Sequence, residues 1–585
     1  MQHLLRRLIA CGLPLALAFQ PSATRAATTP SQLIPDKAAI CFEMLKPGPV
    51  VDALLSPGFS ARLKSVPTYE AFSTGPKLQD LRSALGWLET SVHTNWQTML
   101  RTVTRQNAAI AFGAGNRHLL VLTGDDPEML RSMHDFTLQI AKSEAEKRGQ
   151  SDQVRSMDYA GLTGWTFNGQ EAHTLNGAQL LAGSDAEVLK AAVDLRDSNG
   201  AGSLAGRADY KAARKAVGPD ANGMLFLDLE QLRGADWFKN LIKGQQQNPL
   251  TSLLFADLPE ALQTAHWLAL GIYVDASGLI LKAYSDAGKG TNTAASFASI
   301  KGGSRGLAAS LTVPRQIALL NLHRDLAGFY AAKDALFPER TSGLIFFENM
   351  MGIFFSGRNL TDEVLSETQP QVQMVVARQE YDPAIGIPEP QLPAFAFVFG
   401  LRHPDAFGEV VEEAWQKALG LINFTRGQKA EPGLILDRAE HKGYRITLSK
   451  FSAKDIEDRS HIDQRFNFRP SLALAKGCAI LSSTDQLARD LLDALDKAPA
   501  AGTPSAERGH SLLRLSGTEL AGILRANRMS LVRGNMVKDG KTQPEAEAAM
   551  DTLTALAGWA DRATLSTGNL GPGQIAELRL SFSQP

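Results

Sequence analysis

The chain has 585 residues, of which 44% are hydrophobic and 21% are charged. This balance is close to the average for globular proteins, so the chain can build large cores and disorder is not expected. Lys and Arg together number 60, against 61 Asp and Glu. A nucleic-acid-binding surface needs a basic excess to neutralise phosphates, so the composition argues against a nucleic-acid partner.

The first 26 residues have the pattern of a secretory signal peptide. Arg6 and Arg7 precede an apolar run, Leu8–Phe19, which is too short to span a bilayer, and small residues follow with the best cleavage position after Ala26. Lipidation of Cys11 in the sequence LIAC is an alternative, disfavoured because cleavage there would leave almost no apolar segment. No later stretch reaches the roughly 18 apolar residues of a membrane span. We expect export to the periplasm or the exterior and no integral membrane span.

The next elements are a strand-like run at Ala38–Met44, a helical segment and a hairpin. The hairpin is predicted from two apolar runs, Ala108–Ala114 and Arg117–Gly124, which flank a turn at Gly115 and Asn116. Further strands, helices and a closing hairpin follow, up to residue 286. From residue 307 the same succession of strands and helices begins again.

Helix starts are specified by similar residues in the two halves. Asp126 in the first half and His403 in the second each stand before a proline, which at the first helical position loses no hydrogen bond. The best-matched stretch is LLAGSDAEVLKAAVDL against AILSSTDQLARDLLDAL, and each predicts a strand followed by a helix with a capping box. The boxes pair Ser184 with Glu187 in the first half and Ser483 with Gln486 in the second.

We therefore interpret residues 27–286 and 307–585 as tandem copies of one unit, after a signal peptide over 1–26 and joined by a linker over 287–306. The linker is rich in Gly, Ser, Thr and Ala. Strand pairs joined by turns and interrupted by helices predict an α+β fold. Each copy is expected to be a mainly antiparallel sheet with helices packed on one face.

The sequence offers no catalytic, cofactor-binding or metal-binding residues. A zinc-protease His-Glu-x-x-His, a hydrolase Gly-x-Ser-x-Gly and a phosphate-binding glycine loop are all missing, and Ser60 stands at a helix start instead. The acids at Thr123–Glu128 and Ser452–Asp463 could hold a cation, but a capped helix start and a solvated loop explain them better. Cys41 and Cys478, both in apolar strand-like runs, are predicted to be buried free thiols rather than a disulfide.

Two apolar patterns are also considered as binding surfaces. Trp87, His93, Trp96 and Met99 recur at helical spacing, which is typical of core packing rather than a ligand platform. The run GLIFFENMMGIFF at Gly343–Phe355 is an apolar segment with no counterpart this strong in the first half. We predict a buried helix there, with an exposed face that meets a partner or a membrane as the alternative.

The stretch Gln179–Leu232 resembles a group of exported bacterial proteins of unknown function. It shares with them a strand ending in small residues, a helix, an SLA…ADY segment and a strand ending in Asp-Leu. The resemblance implies an exported α+β protein and transfers no activity. We predict a non-catalytic binding or structural protein whose partner is an envelope or extracellular protein or a polysaccharide. The alternative is a hydrolase with its site between the two repeats.

Overall fold

In a computed structural model, the structure describes residues 29–167, 170–240, 253–256, 258–275, 277–286, 297–298, 306–337, 341–456, 458–499 and 507–582. The predicted signal peptide and most of the predicted linker lie outside these residues. The chain divides into two compact units. The first comprises Met1–Phe238 and Thr264–Ala287, and the second comprises Lys239–Gln263 and Gly288–Gln584.

The described part of the first unit contains ten strands and ten helices. Its strands are β1 (Ile40–Met44), β2 (Asn107–Phe112), β3 (His118–Thr123), β4 (Val154–Tyr159), β5 (Leu162–Phe167), β6 (Glu171–Asn176), β7 (Gln179–Gly183), β8 (Gly223–Asp228), β9 (Trp267–Asp275) and β10 (Gly278–Ser285). Its helices are α1 (Pro30–Leu33), α2 (Pro47–Leu54), α3 (Pro57–Lys64), α4 (Pro67–Ser73), α5 (Pro76–Val92), α6 (Trp96–Val103), α7 (Pro127–Lys147), α8 (Ala186–Asp197), α9 (Ala208–Val217) and α10 (Leu229–Leu232).

Helix α11 (Leu258–Thr264) lies where the chain returns from the second unit to the first. The strands of the second unit are β11 (Gln316–His323), β12 (Thr368–Ala377), β13 (Ala394–Leu401), β14 (Ile435–His441), β15 (Tyr444–Lys450), β16 (Ser471–Ala475), β17 (Cys478–Ser482), β18 (Ser511–Ser516), β19 (Ala560–Gly571) and β20 (Gln574–Phe582). Its helices are α12 (Leu326–Ala331), α13 (Lys333–Leu336), α14 (Thr341–Phe354), α15 (Pro404–Gln428), α16 (Asp485–Lys497), α17 (Gly517–Ala526), α18 (Arg528–Asp539) and α19 (Gln543–Trp559).

The fold is α+β, as predicted, and every strand pair described here is antiparallel. In the first unit the strands follow the order β4-β5-β6-β7-β3-β2-β1-β8-β9-β10. In the second unit the order is β14-β15-β16-β17-β13-β12-β11-β18-β19-β20. The two orders are the same when strands are counted from the start of each unit. The predicted hairpin of β2 and β3 is confirmed, with positive φ at both Gly115 and Asn116.

Helices pack on both faces of each sheet, so the prediction that they cover one face is wrong. Neighbouring strand residues point to opposite faces, and Leu180 and Leu181 of β7 are both fully buried. Leu181 belongs to the core beneath α8 and α9, whereas Leu180 belongs to the core beneath α5, α6 and α7. In β17, Ile480 and Ala479 are divided in the same way between two cores. A strand with consecutive apolar residues requires cover on both sides.

The capping boxes were predicted one residue too early. The N-caps of α8 and α16 are Asp185 and Thr484, whose side-chain oxygens accept hydrogen bonds from backbone N–H groups of the first turn. Ser184 and Ser483 instead accept a hydrogen bond from a backbone N–H of the neighbouring strand, at 3.2 and 2.8 Å. Each serine directly follows its strand and is held by the neighbouring strand, and the next residue caps the helix.

The Trp87–Met99 pattern does not form one core stripe, which corrects the prediction. Helix α5 ends at Val92, His93 takes a left-handed conformation with φ 55°, and α6 begins only at Trp96. The helical spacing is therefore broken between the two tryptophans. Met99 is buried, but the Trp87 side chain is 71% exposed.

Candidate functional site

An apolar cavity of about 350 Å³ lies in the first unit between the strands β4–β6 and helix α8. Its floor consists of cross-strand rows of side chains. One row joins Met157, Gly164 and Thr174, and the next joins Arg155, Thr166 and Ala172. Residues paired across strands point to the same face, so these rows face α8 together. We call this cavity the β4–α8 trough.

Helix α8 forms the other wall of the trough. Its apolar contributions are Ala186, Leu189 and Val193, which recur at helical spacing and therefore share one side of the helix. A Cβ on residue 164 would lie 3.6 Å from Cδ2 of Leu189. The missing side chain of Gly164 thus leaves space between the sheet and the helix.

The second unit fills the corresponding space. Counted from the hairpin turns, Gly164 and Thr166 of β5 correspond to Ile446 and Leu448 of β15. Both second-unit residues are buried, at 0% and 3% exposure. Counted from the N-caps, Ala192 and Val193 of α8 correspond to Leu491 and Leu492 of α16, which are fully buried in the same core. The trough therefore results from smaller residues at matched positions.

The charged side chains that line the trough are both cationic. Arg155 pairs with Asp152 at 3.1 Å, and Lys190 pairs with Glu187 at 2.9 Å. The hydrogen bond to Glu187 raises the pKa of Lys190, so this side chain stays protonated. Exposed ion pairs contribute little to stability. Both cations can therefore exchange their partners for a ligand anion.

Tyr159 closes one end of the trough. Its hydroxyl donates a hydrogen bond of 2.8 Å to Asp194 of α8, and Lys190 Nζ lies 5.8 Å from the centre of its ring. The hydrogen bond to Asp194 raises the pKa of Tyr159, so the phenol remains neutral. In the second unit, His441 and Asp493 at the corresponding positions make a similar contact of 2.6 Å.

A second cavity, of about 470 Å³, lies on the other side of α8. Its lining includes Lys37, Arg117 and Glu187, together with apolar residues of β2 and β3. Arg117 is held by Asp185 through two hydrogen bonds. Charges of both signs line this cavity, so it selects less clearly for one ligand class than the β4–α8 trough does.

Two histidines are buried on the opposite face of the sheet. His134 of α7 and His173 of β6 are 3% and 9% exposed, and their rings lie 5.4 Å apart, centre to centre. Burial lowers the pKa of His173 to about 4, and burial and then the neighbouring His173 lower the pKa of His134. Both are neutral at physiological pH and pack among Trp165 and Phe167.

The acid-rich segments have structural roles. Asp126 caps α7 by accepting hydrogen bonds from the N–H groups of Glu128 and Met129, which confirms the predicted helix start. Asp458 accepts hydrogen bonds from Ser460, and the loop around it is largely exposed. Among the described residues, no group of three or more His, Cys, Asp or Glu side chains is arranged to hold a metal ion.

The apolar run at residues 343–355 forms most of α14, and the prediction of a buried helix is wrong. The side chains of Ile345, Phe346 and Ile353 are 49%, 72% and 67% exposed. Leu344 and Met351, on the other side of the helix, pack against a core of the second unit. The alternative prediction of an exposed apolar face therefore describes this helix. In the part of the chain that the structure describes, no helix is long and apolar enough to cross a membrane.

Sequence reasoning missed the β4–α8 trough. Its lining comes from three strands and a helix between residues 155 and 193. The sequence pattern predicted only one strand pair before that helix, where the structure has four strands. One available signal was Gly164 inside a strand, because a strand glycine often marks close approach of a ligand or another backbone.

Comparisons with known proteins do not indicate a function for this chain. No family model matches the chain, and no curated protein matches it. Crystal forms III, I and IV of TP0453, an exported Treponema protein, are structurally similar at 9%, 11% and 10% sequence identity. They cover 46%, 46% and 44% of this chain and 83%, 82% and 81% of their own, each with a TM-score of 0.22. A TM-score this low carries no argument about function.

Proposed function

We propose that this is an exported, non-catalytic binding protein that holds a long-chain carboxylate in the β4–α8 trough. The observation that carries the proposal is an apolar trough whose charged lining residues, among those that the structure describes, are Arg155 and Lys190. Ligand pockets in proteins are typically about 300–1,000 Å³ and mostly apolar, with a few polar groups that orient the ligand. The trough meets that description.

The shape of the trough suits a chain better than a compact ring system. From Leu162 to Thr166 the lining extends four residues along β5, or about 13 Å. From Ala186 to Val193 it extends seven residues along α8, or about 10 Å. An extended hydrocarbon chain can lie between these two walls, with its carboxylate at Arg155 or Lys190.

A polysaccharide, one of the partners expected from the sequence, fits the trough poorly. Sugars need several hydrogen-bonding partners, because a buried polar group without one is costly. Hydroxyl groups line the trough at Tyr159, Thr166 and Thr174, but Met157, Leu162, Leu189 and Val193 offer no partner in their side chains. Burial of a hydrocarbon chain against these residues is favourable in proportion to the apolar area removed from water.

Export and duplication remain part of the proposal. The sequence pattern around Ala26 supports cleavage there and release into the periplasm or the exterior. The matching strand orders support an origin of the two units by tandem duplication. The first unit has Gly164 and Thr166 where the second unit has Ile446 and Leu448. Intact-mass measurement of the protein from its native host should place Ala27, or a near neighbour, at the N-terminus.

The binding proposal is tested by titrating the mature chain with palmitate, with isothermal calorimetry as the readout. We expect saturable binding that Gly164→Ile weakens at least about tenfold. The new isoleucine side chain, like Ile446 at the matched position of the second unit, would occupy the space of the ligand. Thr163→Val is the matched control, since residue 163 lies on the same strand with its side chain on the opposite face.

The role of the cations is tested separately. Arg155→Gln combined with Lys190→Gln should weaken palmitate binding severalfold and leave the binding of palmityl alcohol unchanged. Failure of the wild-type chain to bind palmitate, or equal binding by Gly164→Ile, would overturn the proposal. Turnover of a palmitoyl ester by the chain would instead favour the hydrolase alternative.

A further inference from the structure

Helix α14 carries an apolar stripe on its exposed side. Phe346, Asn349 and Ile353 follow one another at helical spacing, with Ile345 beside them. The opposite side of the helix is occupied, because Leu344, Met351 and Phe355 pack against a core of the second unit. The stripe therefore faces away from the core that anchors the helix.

The exposed apolar surface extends beyond α14. Ser356, just after the helix, accepts a hydrogen bond from Lys417 and donates one to Glu413 of α15. Leu421 and Phe424 lie four and seven residues after Lys417, on the same side of α15, and are 45% and 62% exposed.

Strand β14 adds to the same region. Asn423 of α15 exchanges two hydrogen bonds with the backbone of Leu434, which places the start of β14 beside the end of α15. Leu436 of that strand is 51% exposed and lies opposite Ser449, on the same face as Thr447, which donates a hydrogen bond to Glu412 of α15. We call these exposed residues the α14 surface; its members are Ile345, Phe346, Ile353, Leu421, Phe424 and Leu436.

The area of the α14 surface matches one half of a stable protein interface. With about 200 Å² for a large apolar side chain, the six residues expose roughly 700 Å². A standard interface buries about 800 Å² on each partner. The composition also fits, since the α14 stripe has an exposed phenylalanine and no charged residue, and charges are depleted at interface centres.

A lipid membrane is a less suitable partner for the α14 surface than a protein is. Helices that lie on membranes usually carry Lys and Arg on their polar face, which attract anionic headgroups. Helix α14 contains no basic residue, and its single acidic residue, Glu348, pairs with Lys333 at 3.5 Å. The charge pattern that would hold a membrane is missing from this helix.

We propose that the α14 surface binds the same surface of a second copy of this chain. Two α14 helices crossing antiparallel on a twofold axis would set Phe346 of each copy against Ile353 of the other. Asn349, midway between them, would meet its own counterpart near the axis, where two amides can exchange hydrogen bonds. The spacing of the stripe is thus self-complementary.

The test is sedimentation equilibrium of the mature chain. We expect a monomer–dimer equilibrium in which Phe346→Asp and Ile353→Asp each weaken dimerisation at least about tenfold, because a charge would be buried without a partner. Trp87→Asp is the matched control, since Trp87 is 71% exposed on α5 of the first unit. It should leave the equilibrium unchanged.

A second measurement does not depend on affinity. Asn349→Cys should form a symmetric intermolecular disulfide under mild oxidation, whereas Trp87→Cys should not. A chain that stays monomeric at high micromolar concentration would overturn the proposal. Flotation of the wild-type chain with phosphatidylcholine vesicles, lost in Phe346→Asp, would overturn it in favour of a lipid surface.

Discussion

The hydroxyl of Tyr210 on α9 donates a hydrogen bond to the carboxylate of Glu43 on β1, and both residues are buried. The bond joins residues 167 positions apart and fixes α9 against the sheet. Burial raises the pKa of Glu43 above its usual 4.5, although the Tyr210 bond and then Arg214 act in the opposite direction. The carboxylate is therefore tolerated because of its partners.

Tyr210→Phe should destabilise the first unit by about 1–3 kcal/mol, because it leaves a buried carboxylate without its donor. Glu43→Gln should be neutral or stabilising at pH 7. A raised folded pKa means that the folded chain binds the proton more tightly, so the ionised form costs stability above pH 4.5. The advantage of Glu43→Gln should shrink as the pH falls towards 4.5, and urea unfolding at several pH values measures both effects. Equal losses in the two variants would contradict this account.

Acid should weaken the first unit through its buried histidines. The unfolded chain protonates His173 near pH 6.5, whereas the folded chain does so near pH 4. Between these values the unfolded state binds more protons, so the free energy of unfolding falls as the pH falls, by about 1.4 kcal/mol per pH unit for one histidine. His173→Leu should reduce the dependence of the free energy of unfolding on pH. It should not abolish that dependence, because His134 still contributes.

Gly517, the first residue of α17, is irreplaceable for steric reasons. A Cβ at this position would overlap the backbone carbonyl oxygens of Ala557 and Ala560, which cannot move without moving the chain. Gly517→Ala should therefore cost about 3 kcal/mol, at the upper end for overpacking. Gly534→Ala, in an open position of α18 with nothing within 4 Å, should stabilise by about 0.5–1 kcal/mol. Thermal unfolding of both variants measures the contrast, and equal effects would refute it.

The two thiols should react at different rates. Cys41 and Cys478, the cysteines of the described residues, are free; Cys41 is fully buried, whereas Cys478 is only partly buried. Burial and then the charge of Glu43 raise the pKa of Cys41, and burial raises the pKa of Cys478. Since the thiolate is the reactive form, iodoacetamide should modify Cys478 slowly and Cys41 only after denaturation. Peptide mass spectrometry reports each site, and rapid labelling of Cys41 in the native chain would contradict the prediction.

The local features of the fold were predictable from sequence because they depend on neighbouring residues. The turn at Gly115 and Asn116, the Asp126 cap and the helix start at Ser56-Pro57 near Ser60 all follow from backbone preferences within a few positions. The capping boxes at Ser184 and Ser483 were misplaced by one residue. The exact start of each helix depends on whether the serine hydrogen-bonds to the neighbouring strand, which is a tertiary contact.

The residue pattern alone specifies the class of the fold, the antiparallel strand pairs and most of the succession of elements in each half. It predicted one strand pair where each unit has four strands, β4–β7 and β14–β17. Only the tertiary structure determines which of the apolar residues are buried. Leu180 and Leu181 needed cover on both faces, while Phe346 received none. The same holds for the trough, since whether Gly164 leaves a space depends on how closely α8 approaches β5. Periodicity reports that a residue is apolar, but burial is set by the packing of segments far apart in the chain.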